Sequence, residues 1–147
     1  MSIDALRTHY GFTRMPFGKN IAPGMVHHHH THDQAVARIS WAISETAIGV
    51  ITGEVGAGKS TAARVFTASL NPSLHKVLSV HFSSGTALDL LRQIAITLDL
   101  EPAHFRGDLV RQIAEAVVRL NQSKKQHPIL ICDEAHLLPH PALEQLP

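Results

Sequence analysis

Only one cysteine, Cys132, occurs in the 147 residues, so no intrachain disulfide can staple the fold. It lies inside an apolar run, where a thiol behaves as a small core residue. No stretch approaches the roughly 18 apolar residues that a membrane-crossing helix needs, and the N-terminus lacks a secretory pattern. A soluble, cytoplasmic protein is therefore expected. Charge of one sign is missing too. Thirteen Lys and Arg face twelve Asp and Glu, a net charge of +1, which gives no broad electrostatic footprint for nucleic acid. The local group Arg111, Arg119, Lys124 and Lys125 reads as an ordinary solvated helix end. No internal repeat appears. What is abundant is histidine, with 12 copies, four of them consecutive from His27 to His30 and His32 close by. Adjacent histidines in a segment bounded by Pro23 and Gly24 do not offer the separations that tetrahedral metal sites use, so a solvated loop is expected. With 44% hydrophobic residues the chain holds enough apolar material for one core and is one domain at most.

Against this background one segment stands out. Gly53-Glu54-Val55-Gly56-Ala57-Gly58-Lys59-Ser60 fits the pattern G-x-x-x-x-G-K-[ST] at every fixed position. Its three glycines let the backbone curl so that successive N–H groups face inward, where a Cβ would crowd an anion. Lys59 adds a mobile positive charge. The Ser60 hydroxyl is small and hard enough for one position around octahedral magnesium, and a helix beginning there turns its positive end toward phosphates. The flanks agree: Ile48-Gly49-Val50-Ile51-Thr52 reads as a short buried strand, and Ser60 to Leu70 carries Ala62, Ala63, Val65, Phe66 and Leu70 at helical spacing before Asn71-Pro72 closes it. A bound nucleoside triphosphate is expected, with Gly53, Glu54, Val55, Gly56, Ala57, Gly58, Lys59, Ser60 and Thr61 around its phosphates.

A second segment supplies carboxylates. His127-Pro128-Ile129-Leu130-Ile131-Cys132-Asp133-Glu134-Ala135-His136 reads as a turn, a buried strand and two acids at the strand's carboxyl end, the Walker B pattern. Asp133 is expected to bind magnesium directly or through a water, with Ser60 as the other metal residue, while Glu134 polarises the water that attacks the γ-phosphate and Lys59 assists as the second catalytic group. Asp133 lies 73 positions after Ser60, room for a helix, a strand and further helices. Adjacent Asp-Glu puts the metal carboxylate and the water-activating carboxylate on one strand, which points to the additional-strand ATPases.

Elsewhere, residues 1–30 read as an arm with little regular structure, packed by Tyr10, Phe12, Met15 and Phe17. Thr31-x-x-Gln34 is a capping-box pattern opening a helix with Val36, Ile39 and Ile43 on one face. Lys76 to Phe82 reads as a second strand. A helix capped by Thr86 carries Leu88, Leu91, Ala95 and Leu98, and another, after the Pro102 to Gly107 break, carries Leu109, Ile113, Val117 and Leu120.

The chain resembles the bacterial AAA+ ATPases, DEAH-type, of the group that includes general secretion pathway protein A and the ATP-binding helper subunits of transposons. The resemblance rests on His9-Tyr10-Gly11-Phe12, Pro16-Phe17, His32, Ala35-Val36-Ala37-Arg38 and Gly49 through Gly56, and it covers nearly the whole sequence. It implies a three-layer α/β/α P-loop fold of additional-strand type, with a mainly parallel sheet in the order 5-1-4-3-2. It also implies ATP and Mg2+ as ligands, ATP hydrolysis coupled to a regulatory switch, and homo-oligomers. ATP is favoured over GTP by that likeness, and no guanine-reading N/T-K-x-D motif is present. The segment Phe17 to Ile21 is nominated either to contact adenine or, through Phe17, to pack in the core. Ser83 or Ser84 is nominated to restrain Glu134 until a partner or DNA binds.

Three functional readings follow from the resemblance. The first is an accessory ATPase of DNA transposition, with DNA and a transposase as partners. The second is a secretion-pathway ATPase, and the third a non-catalytic remnant that binds nucleotide only. A helicase reading of Asp133-Glu134-Ala135-His136 fails for want of a second motor domain. Since 13 residues follow Glu134, residues 31–147 are expected to be the N-terminal part of the ATPase domain. The sensor, arginine finger and lid are then absent, the sheet incomplete and turnover weak.

Overall fold

In the computed structural model the described residues are 3–13, 15, 21–27, 29–81 and 85–138. They fall into two compact units, Met1–Ala68 and Ser69–Pro147.

The first unit begins with α1 (Ile3–Tyr10), a helix where the arm was expected to be irregular. Local signals account for it. Asp4 sits in the first turn and Arg7 and His9 in the last, each favourable toward the helix dipole. Gly11, at a φ of 64°, ends the helix, with the Phe12 N–H donating to the Arg7 carbonyl at 3.0 Å. Tyr10 and Phe12 stack with ring centroids 5.5 Å apart. A short 3-10 turn, Pro23–Met25, precedes α2 (His30–Ser44). The expected cap at Thr31 is displaced: His29 is the N-cap, and its Nδ1 lies 3.4 Å from the Thr31 N–H and 2.8 Å from the Thr31 hydroxyl. An imidazole nitrogen here does the acceptor's task that a Thr hydroxyl was expected to do.

The expected strand Ile48–Thr52 is not formed. The segment joins no sheet among the described residues, and Ile48 and Val50 are 74% and 80% exposed. Apolar, β-branched sequence favours extended backbone, but a strand exists only where a neighbour completes its hydrogen-bond ladder. In the order 5-1-4-3-2 this segment's neighbours would be the fourth and fifth strands, and neither is among the described residues. The phosphate-loop helix follows as α3 (Lys59–Ser69), with Ala62 and Phe66 buried one turn apart.

The second unit is α/β. β1 (His75–His81) and β2 (His127–Asp133) pair in parallel, His75 opposite His127 through His81 opposite Asp133. This is the pairing expected of the second and third strands. Between them run α4 (Ala87–Thr97) and α5 (Arg106–Lys124). Period-two alternation puts Leu78 and Val80 on one face of β1, where they form a core with Leu90 and Ile94 of α4, Leu98 just after it, Ala116 of α5 and Leu138. Leu130 and Cys132 of β2 pack beside them, and burial pushes the Cys132 thiol pKa upward. A second cluster joins Leu91, Ala95 and Leu109. Leu90 and Leu109 are the largest fully buried side chains, each worth about 2 kcal/mol of apolar transfer.

The unit's connections are tied down by polar contacts. Thr86 and Asp89 form a reciprocal capping box at the start of α4. Gln112 accepts from the Ala103 N–H at 3.2 Å and donates to the Glu101 carbonyl at 2.8 Å, and Gln126 donates to the Pro72 carbonyl at 2.8 Å. Among the described residues no helix is long and apolar enough to cross a membrane.

Candidate functional site

The phosphate loop lies in the first unit. Gly53, Gly56 and Gly58 have φ values of 155°, 84° and 83°, a region that L-residues rarely enter. A Cβ built on Gly56 or Gly58 meets no atom within 4 Å, so the loop demands glycine there for its dihedrals and not for space. The loop wraps its own lysine: Lys59 Nζ donates to the carbonyls of Gly53 and Glu54, both at 2.9 Å. α3 starts at that same lysine, and the Ala62 N–H donates to the Gly58 carbonyl at 2.8 Å. Lys59, Ser60 and Thr61 therefore stand in the first turn of the helix, the end toward which its dipole is positive. No acidic residue sits in that turn, so the positive end of the helix dipole is not neutralised from within. Glu54 and Val55 are exposed, as are Gly53, Gly56 and Ala57.

The carboxylates lie in the second unit, at the carboxyl end of β2. Asp133 stands opposite His81 in the register, on the strand face away from the helices. Its Oδ2 is 3.9 Å from His81 Nδ1, and its Oδ1 accepts the Glu134 N–H at 3.0 Å. Glu134 itself has a left-handed backbone, φ 57° and ψ 36°, which turns the chain out of the strand. A 3-10 turn, Ala135–Leu137, follows directly, and Leu138 drops into the core and anchors it. Within this turn His136 Nδ1 comes 3.3 Å from Glu134 Oε2.

Each half has the donor set its expected ligand requires. Glycines held at positive φ, an ammonium group and an uncompensated helix start suit a polyphosphate, and a serine hydroxyl and a strand-end carboxylate are hard oxygen donors of the kind Mg2+ takes. His81 and His136 were not singled out by sequence reasoning as site residues. His81 becomes visible only through the strand register, and His136 only through the turn that Glu134 creates. The nominated Phe17, Gly18, Lys19, Asn20, Ser83 and Ser84 lie outside the described residues, as does His28 of the histidine run. Among the described residues no three metal-ligating side chains are grouped to hold an ion.

A family model described as AAA domain matches residues 42–147, a span containing the phosphate loop, both strands of the sheet and the carboxylate pair. No curated protein and no solved structure matches the chain.

Proposed function

The chain belongs to the AAA domain family, and on that premise we propose that it binds magnesium-ATP at Gly53 to Thr61 and hydrolyses it as a regulatory switch, as an accessory ATPase of DNA transposition. Membership itself carries the P-loop NTPase fold and nucleotide binding. The finer reading takes residues 31–147 as the N-terminal part of an additional-strand, three-layer ATPase domain, with residues 1–30 as an arm. It also takes DNA and a transposase as partners and a homo-oligomer as the working form. The leader likeness, His9 to Phe12 and Ala35 to Arg38, supports the group as a whole, in which transposition is one of the roles. The observation that carries nucleotide binding is the loop geometry: Gly56 and Gly58 at φ near +84°, closing directly on Lys59 at an α-helix start with no acidic residue in its first turn.

The chemistry then follows from the residues. The N–H groups of the loop and of the first turn of α3 bind phosphate oxygens without moving charge. Lys59, which the loop carbonyls already hold on its inner side, redirects its three N–H donors to the phosphates. Ser60 would offer Mg2+ a hydroxyl oxygen and Asp133 a carboxylate oxygen, and the ion would supply neutralisation of phosphate charge. Glu134 orients the attacking water and accepts its proton.

The test is Glu134→Gln in the full-length protein, which removes the base and keeps the side chain's size. ATP binding is expected to persist while turnover stops, since the ground-state contacts are untouched. Wild-type turnover in that variant would move the water-activating role off Glu134.

A further inference from the structure

Glu134 is fixed by its own segment more tightly than an exposed strand-end residue needs to be. Its N–H is bound to Asp133 Oδ1 at 3.0 Å, its carbonyl accepts the Leu137 N–H at 2.9 Å, and its backbone occupies the left-handed region that a Cβ disfavours. The turn it opens ends on buried Leu138, so the backbone positions of residues 134 and 136 are set relative to one another. A non-glycine residue kept in that conformation marks a place where geometry has been favoured over local comfort. What remains undetermined by the backbone is the carboxylate, which sits beyond three rotatable bonds.

His136 supplies the missing constraint. Its Nδ1 stands 3.3 Å from Glu134 Oε2, just beyond the usual span of an N–H···O bond. The two side chains are 71% and 48% exposed, and pairs so open to water contribute little to stability. The contact orients the group instead.

We infer that His136 is a positioning residue for Glu134: its Nδ1–H, donated to Oε2, selects one orientation of the carboxylate and leaves Oε1 as the acceptor for the reacting water. The role requires only the Nδ1–H. Both the neutral Nδ1–H tautomer and the imidazolium carry that proton, so the ring's charge is not part of the claim. The inference rests on Glu134 being the water-activating group.

Three variants of the full-length protein separate the possibilities. In His136→Ala, kcat for ATP is expected to fall about tenfold, with KM and the magnesium-ATP Kd within about twofold of wild type. His136→Asn should recover most of that loss, because its Nδ2 is bonded to Cγ as Nδ1 is. An unchanged kcat in His136→Ala overturns the inference, as does Asn performing no better than Ala. Glu134→Gln is the reference: if it turns over like wild type, the reading of Glu134 has failed, not the contact. A measurement independent of turnover decides the contact itself. Long-range 1H–15N correlation of the His136 ring, in mild alkali where imidazole is neutral, should show the Nδ1–H tautomer in wild type and a shift toward Nε2–H in Glu134→Ala. A wild-type ring in the Nε2–H form contradicts the inference whatever the turnover.

Discussion

Gly56 and Gly58 separate two reasons for a glycine. Open space surrounds the position of a Cβ at both, yet φ is 84° and 83°. The cost of a side chain there is conformational, about 1–2 kcal/mol for an L-residue forced to stay left-handed. Gly58→Ala is therefore expected to weaken magnesium-ATP binding about tenfold, the equivalent of about 1.4 kcal/mol. Gly24→Ala, equally open and without a positive φ, should bind as wild type. Titration of both variants checks this, and undiminished affinity in Gly58→Ala would show that the loop binds in some other conformation. The glycines were legible in the sequence because the φ they supply is a local requirement. The imidazole partners of the carboxylates were not. His81 meets Asp133 only because the strands align in one register, and His136 meets Glu134 only because Glu134 itself turns left-handed.

Among the elements, the periodic ones were readable. β1, β2, α3, α4 and α5 lie close to where apolar spacing puts them, with buried or half-buried apolar residues at positions it marks. Ile48–Thr52 had the composition of a strand but joins no ladder among the described residues, and composition does not report on partners. α1 was hidden by the glycines and prolines of its neighbourhood, although Asp4 and Gly11 marked both its ends. The start of α4 carries a pH prediction. The Thr86 N–H and hydroxyl each donate to Asp89 Oδ2 at 2.8 Å, and the backbone bond is the main reason the carboxyl pKa is held below its usual value. A folded-state pKa below the unfolded one gives stability that is present above the unfolded value, near pH 4, and lost as pH falls through the folded value. The cap should therefore loosen only in that acid window, and Asp89→Asn should remove the dependence. Amide shifts of Thr86 and Asp89 followed through an acid titration test it, and a midpoint at or above the usual Asp value would contradict the assignment.

At the scale of the whole molecule, the residues that define the chemistry are divided between the compact units: the phosphate loop belongs to Met1–Ala68 and the carboxylates to Ser69–Pro147. Each half is built by a different device. The loop relies on dihedral freedom and a helix start, and the carboxylates rely on a parallel pair whose helix-covered face, Leu78, Val80, Leu130 and Cys132, fixes by alternation that Asp133 faces the other way. The sequence of β2 marked a buried strand ending in acids but, being apolar from Ile129 to Cys132, did not show which face each residue takes; the pairing with β1 agreed with the strand order the resemblance implied. The central claim concerns the loop, and calorimetric titration of magnesium-ATP into wild type and Lys59→Ala tests it most directly. Wild type is expected to bind saturably. The variant loses the ammonium that the loop holds on Gly53 and Glu54, and its binding should be weaker by about tenfold or more, on the order of 1.4 kcal/mol. Equal affinity in the two proteins would contradict the account.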